Sequence, residues 1–135
     1  IIETTNELVE IIEKSIPAAC KNNGHPAKRV FQAIRIEVND EIKPLYNTVR
    51  NSINVLNKDG RLCIITFHSL EDRAVKNAYT ESAGKCVCPP GLPYCACGSQ
   101  SEGRIITRKP ILPTEEEQKV NSRSKSAKLR IFEKN

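Results

Sequence analysis

The chain of 135 residues is long enough for one modest core and too short for two independent domains. With 39% hydrophobic and 27% charged residues it is neither disordered by composition nor membrane-like. Its net charge of +5 is not spread evenly: the first 60 residues balance acid and base, whereas Arg104, Arg108, Lys109, Lys119, Arg123, Lys125, Lys128, Arg130 and Lys134 outnumber the acidic residues of the last third. Such a segment is expected of a surface that meets a polyanion, with a solvated tail as the plainer alternative. No apolar run approaches the roughly 20 residues of a bilayer-spanning helix, and there is no basic start followed by an apolar stretch. The default expectation is a cytoplasmic protein without a membrane partner.

Thr4-Thr5-Asn6-Glu7 has the form of a capping box, so a helix should start there, with Leu8, Ile11, Ile12 and Ile16 as its apolar stripe. After the Asn22-Asn23-Gly24 turn and His25-Pro26, a helical pattern runs through Phe31, Ile34, Val38, Ile42, Leu45, Val49, Ile53 and Leu56. Pro44 removes a backbone donor, which predicts a kink or restart between Asn39 and Pro44, with Asn39 or Asp40 as a cap. Asp59-Gly60 ends this helix, and residues 61–68 form a nearly continuous apolar run of strand length that reads as buried on both faces. Ser69-Leu70-Glu71-Asp72 resembles a capping box, followed by an inner stripe of Leu70, Ala74, Val75 and Ala78. Residues 84–103 are a Gly, Pro and Cys-rich loop. Strand patterns return at 104–108 and 128–132, and Pro113-Thr114-Glu115-Glu116-Glu117 marks a short helix between them. The order fits an α/β fold, divided into a helical segment at 1–58 and a sheet-bearing segment at 59–135.

Six cysteines without an export signal argue against a disulfide framework. Cys86, Cys88, Cys95 and Cys97 bracket a Pro-Pro-Gly-Leu-Pro-Tyr turn that would bring four thiolates together for a tetrahedral zinc. Their spacing is tighter than ordinary zinc knuckles, which leaves disulfides and free thiols as alternatives. Cys20 and Cys63 read as small buried hydrophobes.

Three segments together resemble the RsmH/MraW family of bacterial methyltransferases. The first is His25-Pro26-Ala27-Lys28-Arg29-Val30-Phe31-Gln32-Ala33-Ile34-Arg35-Ile36 with Val38-Asn39-Asp40-Glu41. The second is Phe67-His68-Ser69-Leu70-Glu71-Asp72-Arg73 with Val75-Lys76, and the third is residues 121–130. The resemblance implies the C-terminal part of a Rossmann-like sheet with part of a helical insertion domain. It also implies transfer of a methyl group from S-adenosyl-L-methionine (AdoMet) to N4 of a cytidine in 16S ribosomal RNA of the small ribosomal subunit. Residues 61–68 would be the fifth strand and those near 104–109 and 128–133 the last two, including an antiparallel edge. The glycine-rich cofactor loop of the family has no counterpart, since no Gly-x-Gly-x-x-Gly occurs, so no cofactor-binding residue is expected in this segment.

His68 and Ser69 fall where a strand ends, the place at which open α/β sheets bind ligands, and are the candidate catalytic residues. A capping or structural role is the competing account for both. Arg29, Arg35 and Asn39 lie on one side of a helix and are candidates for RNA contact, as are Arg123, Lys125, Lys128 and Arg130 through phosphate oxygens. On the last strand, Lys128 and Arg130 should share an outer face while Leu129 and Ile131 face the core. Besides the methyltransferase, two further readings are a non-catalytic RNA-binding module with a structural zinc loop and a purely structural fragment.

Overall fold

In the computed structural model, which describes residues 1–17, 24–85, 88, 94, 98 and 100–135, three consecutive helices are followed by three strands that alternate with two further helices and a 3-10 turn. Two units form, Ile1–Glu41 and Ile42–Asn135. In the first, α1 (Thr5–Ser15) begins as its capping residues require: the Thr4 hydroxyl accepts from the Glu7 amide at 3.3 Å, and the Glu7 carboxylate accepts from the Glu3 amide at 2.9 Å. Hydrogen bonding from the Glu3 amide, the larger cause, and from the Thr4 side chain holds the Glu7 carboxyl below its ordinary range. Ile12 is buried, while Ile11 is exposed. Helix α2 (Ala27–Asn39) stops because Asp40 takes the left-handed conformation, φ 47° and ψ 50°. Asp40 thus closes α2 rather than opening the next helix, and Ile34 and Val38 are exposed in spite of their place on the apolar stripe.

The second unit begins with α3 (Ile42–Val55), where Pro44 sits in the first turn and its missing N–H has no partner to lose. Sequence patterning groups α3 with the preceding helices, but its inner side chains pack in this unit against α4 (Ser69–Ser82). Val49 and Ile53 meet Val75, Ala78, Tyr79 and Phe132 in one buried cluster. Fully burying a side chain the size of Val49, Ile53, Val75 or Phe132 is worth about 1.5–3 kcal/mol each. Two polar braces fix the helix pair: Tyr46 donates its hydroxyl to Glu81, and Arg50 reaches Ser82 and, at 3.1 Å, Glu102. The bond to Glu81 raises the Tyr46 hydroxyl pKa.

The sheet has the order β1 (Arg61–Thr66), β3 (Lys128–Lys134), β2 (Gly103–Ile105), with both pairings antiparallel. The antiparallel strand that the family resemblance implies is present, lying between two strands that run parallel to each other rather than at an edge of these three. In the register Leu62 faces Phe132, Ile64 faces Arg130 and Thr66 faces Lys128, and these residues look toward α4. The opposite face carries Cys63, Ile65, Leu129 and Ile131. Two expectations are thereby corrected. Residues 61–66 are not buried on both faces, because Arg61, Cys63 and Ile65 are exposed, so Cys63 is no buried hydrophobe either. And on β3 it is Arg130 and Phe132 that face the core, while Leu129 and Ile131 lie on the open side.

β2 is shorter than its sequence pattern because the chain turns after Ile105, where the Ile131 amide donates to the Thr107 hydroxyl at 2.8 Å instead of to a ladder carbonyl. Gly103 is required where it stands, since a Cβ there would lie 2.1 Å from the Glu133 carbonyl and 2.6 Å from the Phe132 ring. Helix α5 (Glu115–Val120) starts as expected, with the Thr114 hydroxyl accepting from the Glu117 amide at 3.2 Å. A 3-10 turn at Ser122–Ser126 then leads into β3.

Candidate functional site

Beyond the end of β1 the chain enters α4 through Phe67 and His68. His68, not Ser69, is the N-cap: its Nδ1 accepts from the Glu71 amide at 3.3 Å, and the Glu71 carboxylate accepts from the amides of Phe67 at 2.8 Å and His68 at 3.2 Å. The capping box is therefore shifted by one residue from the Ser69-to-Asp72 reading. An accepting Nδ1 places the imidazole proton on Nε2, which lies 3.2 Å from Glu71 Oε1. Ser69 is exposed at the first position of the helix. The structure thus puts His68 and Ser69 at the strand end, as the sequence led one to expect, and gives His68 a defined capping task there.

One turn into α4, Asp72 receives both arms of the Arg130 guanidinium, Nε to Oδ1 at 2.6 Å and Nη2 to Oδ2 at 3.0 Å. Lys128 stands 3.8 Å from the same carboxylate. Arg130 holds the Asp72 carboxyl below its ordinary range, with Lys128 and Lys76 adding to the effect against the opposing cost of burial. This bidentate pair ties the middle of β3 to α4, and its two members are 58 residues apart in sequence. Sequence reasoning missed it. Strand parity was the available signal, because Arg130 shares a face with Phe132.

The remaining basic candidates separate by exposure. Arg123 and Lys125 project from the exposed part of the 3-10 turn, and Lys128 is partly exposed beside Asp72. Arg130 is 7% exposed and spends its Nε and one Nη2 hydrogen on Asp72, so of the basic candidates it is the least accessible to a phosphate. In the first unit Arg29 is exposed, whereas Arg35 binds Glu41 at 3.0 and 3.1 Å and Asn39 donates to the same carboxylate at 3.2 Å. The structure brings Arg35 and Asn39 together, then, around an acidic partner at the end of α2. Of the cysteine cluster, Cys86, Cys95 and Cys97 lie outside the described residues; Cys88 is a half-buried free thiol.

A groove of about 580 Å³ runs between α3 and α4, with Leu70 and Ala74 on its apolar floor and Asn47, Arg73 and Asn77 offering amide and guanidinium donors at its walls. That combination suits a flat polar group such as a base edge. Nothing comparable cradles AdoMet among the described residues. At the entry to α4 the Glu71 carboxylate accepts from the amides of Phe67 and His68, so this helix start already holds a carboxylate and its field is less favourable to a second anionic group.

A sequence model of the MraW methylase family matches residues 1–135. Among curated proteins, the chain is 60% identical over 133 residues to "Ribosomal RNA small subunit methyltransferase H" of Clostridium botulinum. It is 58% identical over 134 residues to the protein of that name in Clostridioides difficile. It is 56% identical over 135 residues to "Ribosomal RNA small subunit methyltransferase H 2" of Agathobacter rectalis. These matches cover 98–99% of this chain and 43% of each relative, so the chain spans less than half the length of the relatives it matches.

Proposed function

Because the chain belongs to the MraW methylase family, we propose that it is a segment of a cytoplasmic, AdoMet-dependent methyltransferase that transfers a methyl group to N4 of a cytidine in 16S ribosomal RNA. The observation that carries this reading is the match along the whole chain at 56–60% identity to proteins named as ribosomal RNA small subunit methyltransferases. Because no Gly-x-Gly-x-x-Gly occurs in this chain, which spans 43% of the relatives it matches, this reading assigns the AdoMet-binding loop to the rest of the longer protein. This segment supplies the strand end at His68 and Ser69, the groove between α3 and α4, the exposed cations Arg29, Arg123 and Lys125, and the partly exposed Lys128. Arg123 and Lys125 are the best placed to meet phosphate oxygens, being exposed and free of the Asp72 network. None of the described helices is long and apolar enough to cross a membrane. No described residue favours the non-catalytic zinc-loop module, three of whose four cysteines lie outside the description.

The test is methyl transfer by the intact protein from labelled AdoMet to small ribosomal subunits, with the modified nucleoside identified by mass spectrometry. N4-methylcytidine in 16S RNA is the expected product. Label on another atom or base, or none, would overturn the reading. The isolated 135-residue segment should bind AdoMet weakly or not at all in a calorimetric titration.

A further inference from the structure

A second concavity lies well away from the strand end, beside the C-terminal half of α4 and the short strand β2. Its volume is about 500 Å³, and its described lining includes five cationic residues, Lys76, Lys85, Arg104, Arg108 and Arg130, and no carboxylate. Two of the five are already committed. Arg130 is held by Asp72, and Arg104 donates to Glu133 at 2.8 Å on the other face of the sheet. Lys76, Lys85 and Arg108 are exposed, and none of them forms a salt bridge with a described carboxylate.

Three uncommitted cations around one hollow repel each other unless an anion joins them, so the folded chain holds a site whose electrostatics improve when a polyanion binds. Lys85 also stands just past the carbonyl end of α4, where it offsets the partial negative charge that would otherwise disfavour an anion. Thr80 and Ser101 add hydroxyls to the lining. Lys76 and Thr80 lie eight and twelve residues beyond His68 in the sequence, which places the hollow about 12–18 Å along the helix from the strand end. A single group cannot occupy both places, whereas an extended nucleic-acid strand can.

We propose that Lys76, Lys85 and Arg108 form a docking pocket for backbone phosphates of the substrate RNA, flanking the nucleotide that is presented at the strand end. The proposal rests on the RNA methyltransferase reading above and deepens it by naming where the flanking strand is held. Because the contacts are to phosphate, the pocket positions the RNA without reading its sequence.

The experiment measures binding of a small-subunit RNA fragment to the intact protein across a salt series. The variant combines Lys76→Gln, Lys85→Gln and Arg108→Gln, and Lys58→Gln, on the turn before β1, serves as a charge control outside the pocket. Loss of three phosphate contacts to a single strand should reduce the slope of log affinity against log salt by roughly 2. The control should keep the wild-type slope and methyl transfer, and a variant with Lys76→Arg, Lys85→Arg and Arg108→Lys should retain most of the slope. A wild type that methylates RNA while the triple glutamine variant keeps its slope overturns the pocket alone. A wild type that neither binds nor methylates RNA overturns the methyltransferase reading and the pocket with it. Binding of inorganic phosphate that disappears in the glutamine variant, with the RNA slope unchanged, assigns the pocket to a small anion and likewise overturns the proposal.

Discussion

The two faces of the three-stranded sheet are made by the same strands and behave oppositely. Toward α4, Leu62, Ile64 and Phe132 close over Val75, Ala78 and Tyr79, and the buried charge on that face, Arg130, is paired with Asp72. Tyr79 fixes the arrangement twice, stacking at 5.3 Å from Phe132 and donating its hydroxyl to the Leu62 carbonyl at 3.0 Å, and its burial pushes the phenol well above the ordinary range. On the other side Ile65, Ile111 and Leu112 are all more than half exposed, around a shallow hollow of about 150 Å³ that Leu129 also lines. At the far end of that face Glu133 is flanked across the ladder by Arg61 and Arg104. An apolar strand is thus no guarantee of two buried faces. No described residue covers the open one, and the chain spans 43% of the relatives it matches.

The largest effects should come from the covered face. Phe132→Ala removes a fully buried ring and should cost about 3–5 kcal/mol in urea unfolding of this segment. Ile65→Ala on the open face should cost less than about 1 kcal/mol there, because its side chain already meets water. Repeating Ile65→Ala in the longer protein sharpens the comparison. If another segment packs on this face, the cost rises to about 2–5 kcal/mol, the usual range for a buried isoleucine. Equal costs for Phe132→Ala and Ile65→Ala in the short chain would break the distinction between the faces.

Nearly as large is the Asp72–Arg130 pair. Arg130→Met leaves Asp72 without its bidentate partner, with only Lys128 at 3.8 Å, and should cost about 3 kcal/mol, while the double variant Asp72→Asn, Arg130→Met should recover much of that loss. The pH dependence carries the same signature. A carboxyl whose pKa is lowered by folding stabilises the fold above its unfolded value and loses that contribution as pH falls through the lowered one. Wild-type stability should therefore decline below about pH 4, and the decline should be shallower in Asp72→Asn. A thermal melt series from pH 6 to 2.5 reads both, and identical slopes would remove Asp72 from the account.

These residues also show what could be read in advance. The Thr4 cap, the break before Pro44, the strand at 61 and the Thr114 cap were legible because each depends on neighbours within one turn. The cap of α4 was misplaced by one residue, since histidine is not among the usual N-cap residues and Ser69 is. The inward face of β3 was reversed because Lys128 and Arg130 look more polar than Leu129 and Ile131; only the distant Asp72 makes Arg130 an interior residue. The hollow at Lys76, Lys85 and Arg108 draws on three separated stretches of chain, and no local pattern assembles it.

His68 offers a smaller and more selective test. His68→Ala removes the N-cap and should cost about 0.5–2 kcal/mol, whereas His68→Asn keeps an acceptor for the Glu71 amide and should cost only a few tenths. If the residue only caps α4, His68→Asn should methylate RNA at the wild-type rate. A fall in turnover with stability preserved would give the imidazole a role at the strand end beyond its place in the helix.

The smallest effects belong to the charged end of the open face. Arg61 and Arg104 donate to opposite oxygens of Glu133 at 2.7 and 2.8 Å, and together they hold its carboxyl below the ordinary range, Arg61 being the larger cause. The geometry rivals that of Asp72 and Arg130, but the setting differs, with the arginine side chains 62% and 72% exposed against 8% for Arg130. Water already solvates these guanidinium groups, so forming the pair gains little and breaking it strands no buried cation. Removing one arginine also leaves Glu133 its other partner. Arg61→Gln should therefore cost about 0.2–1 kcal/mol at low ionic strength, and less in 1 M salt, where surface pairs are screened. Arg130→Met should keep most of its larger cost in the same salt. Melts of both variants at two salt concentrations make the comparison, and an Arg61→Gln loss as large and as salt-resistant as that of Arg130→Met would mean that the open face is dry in solution.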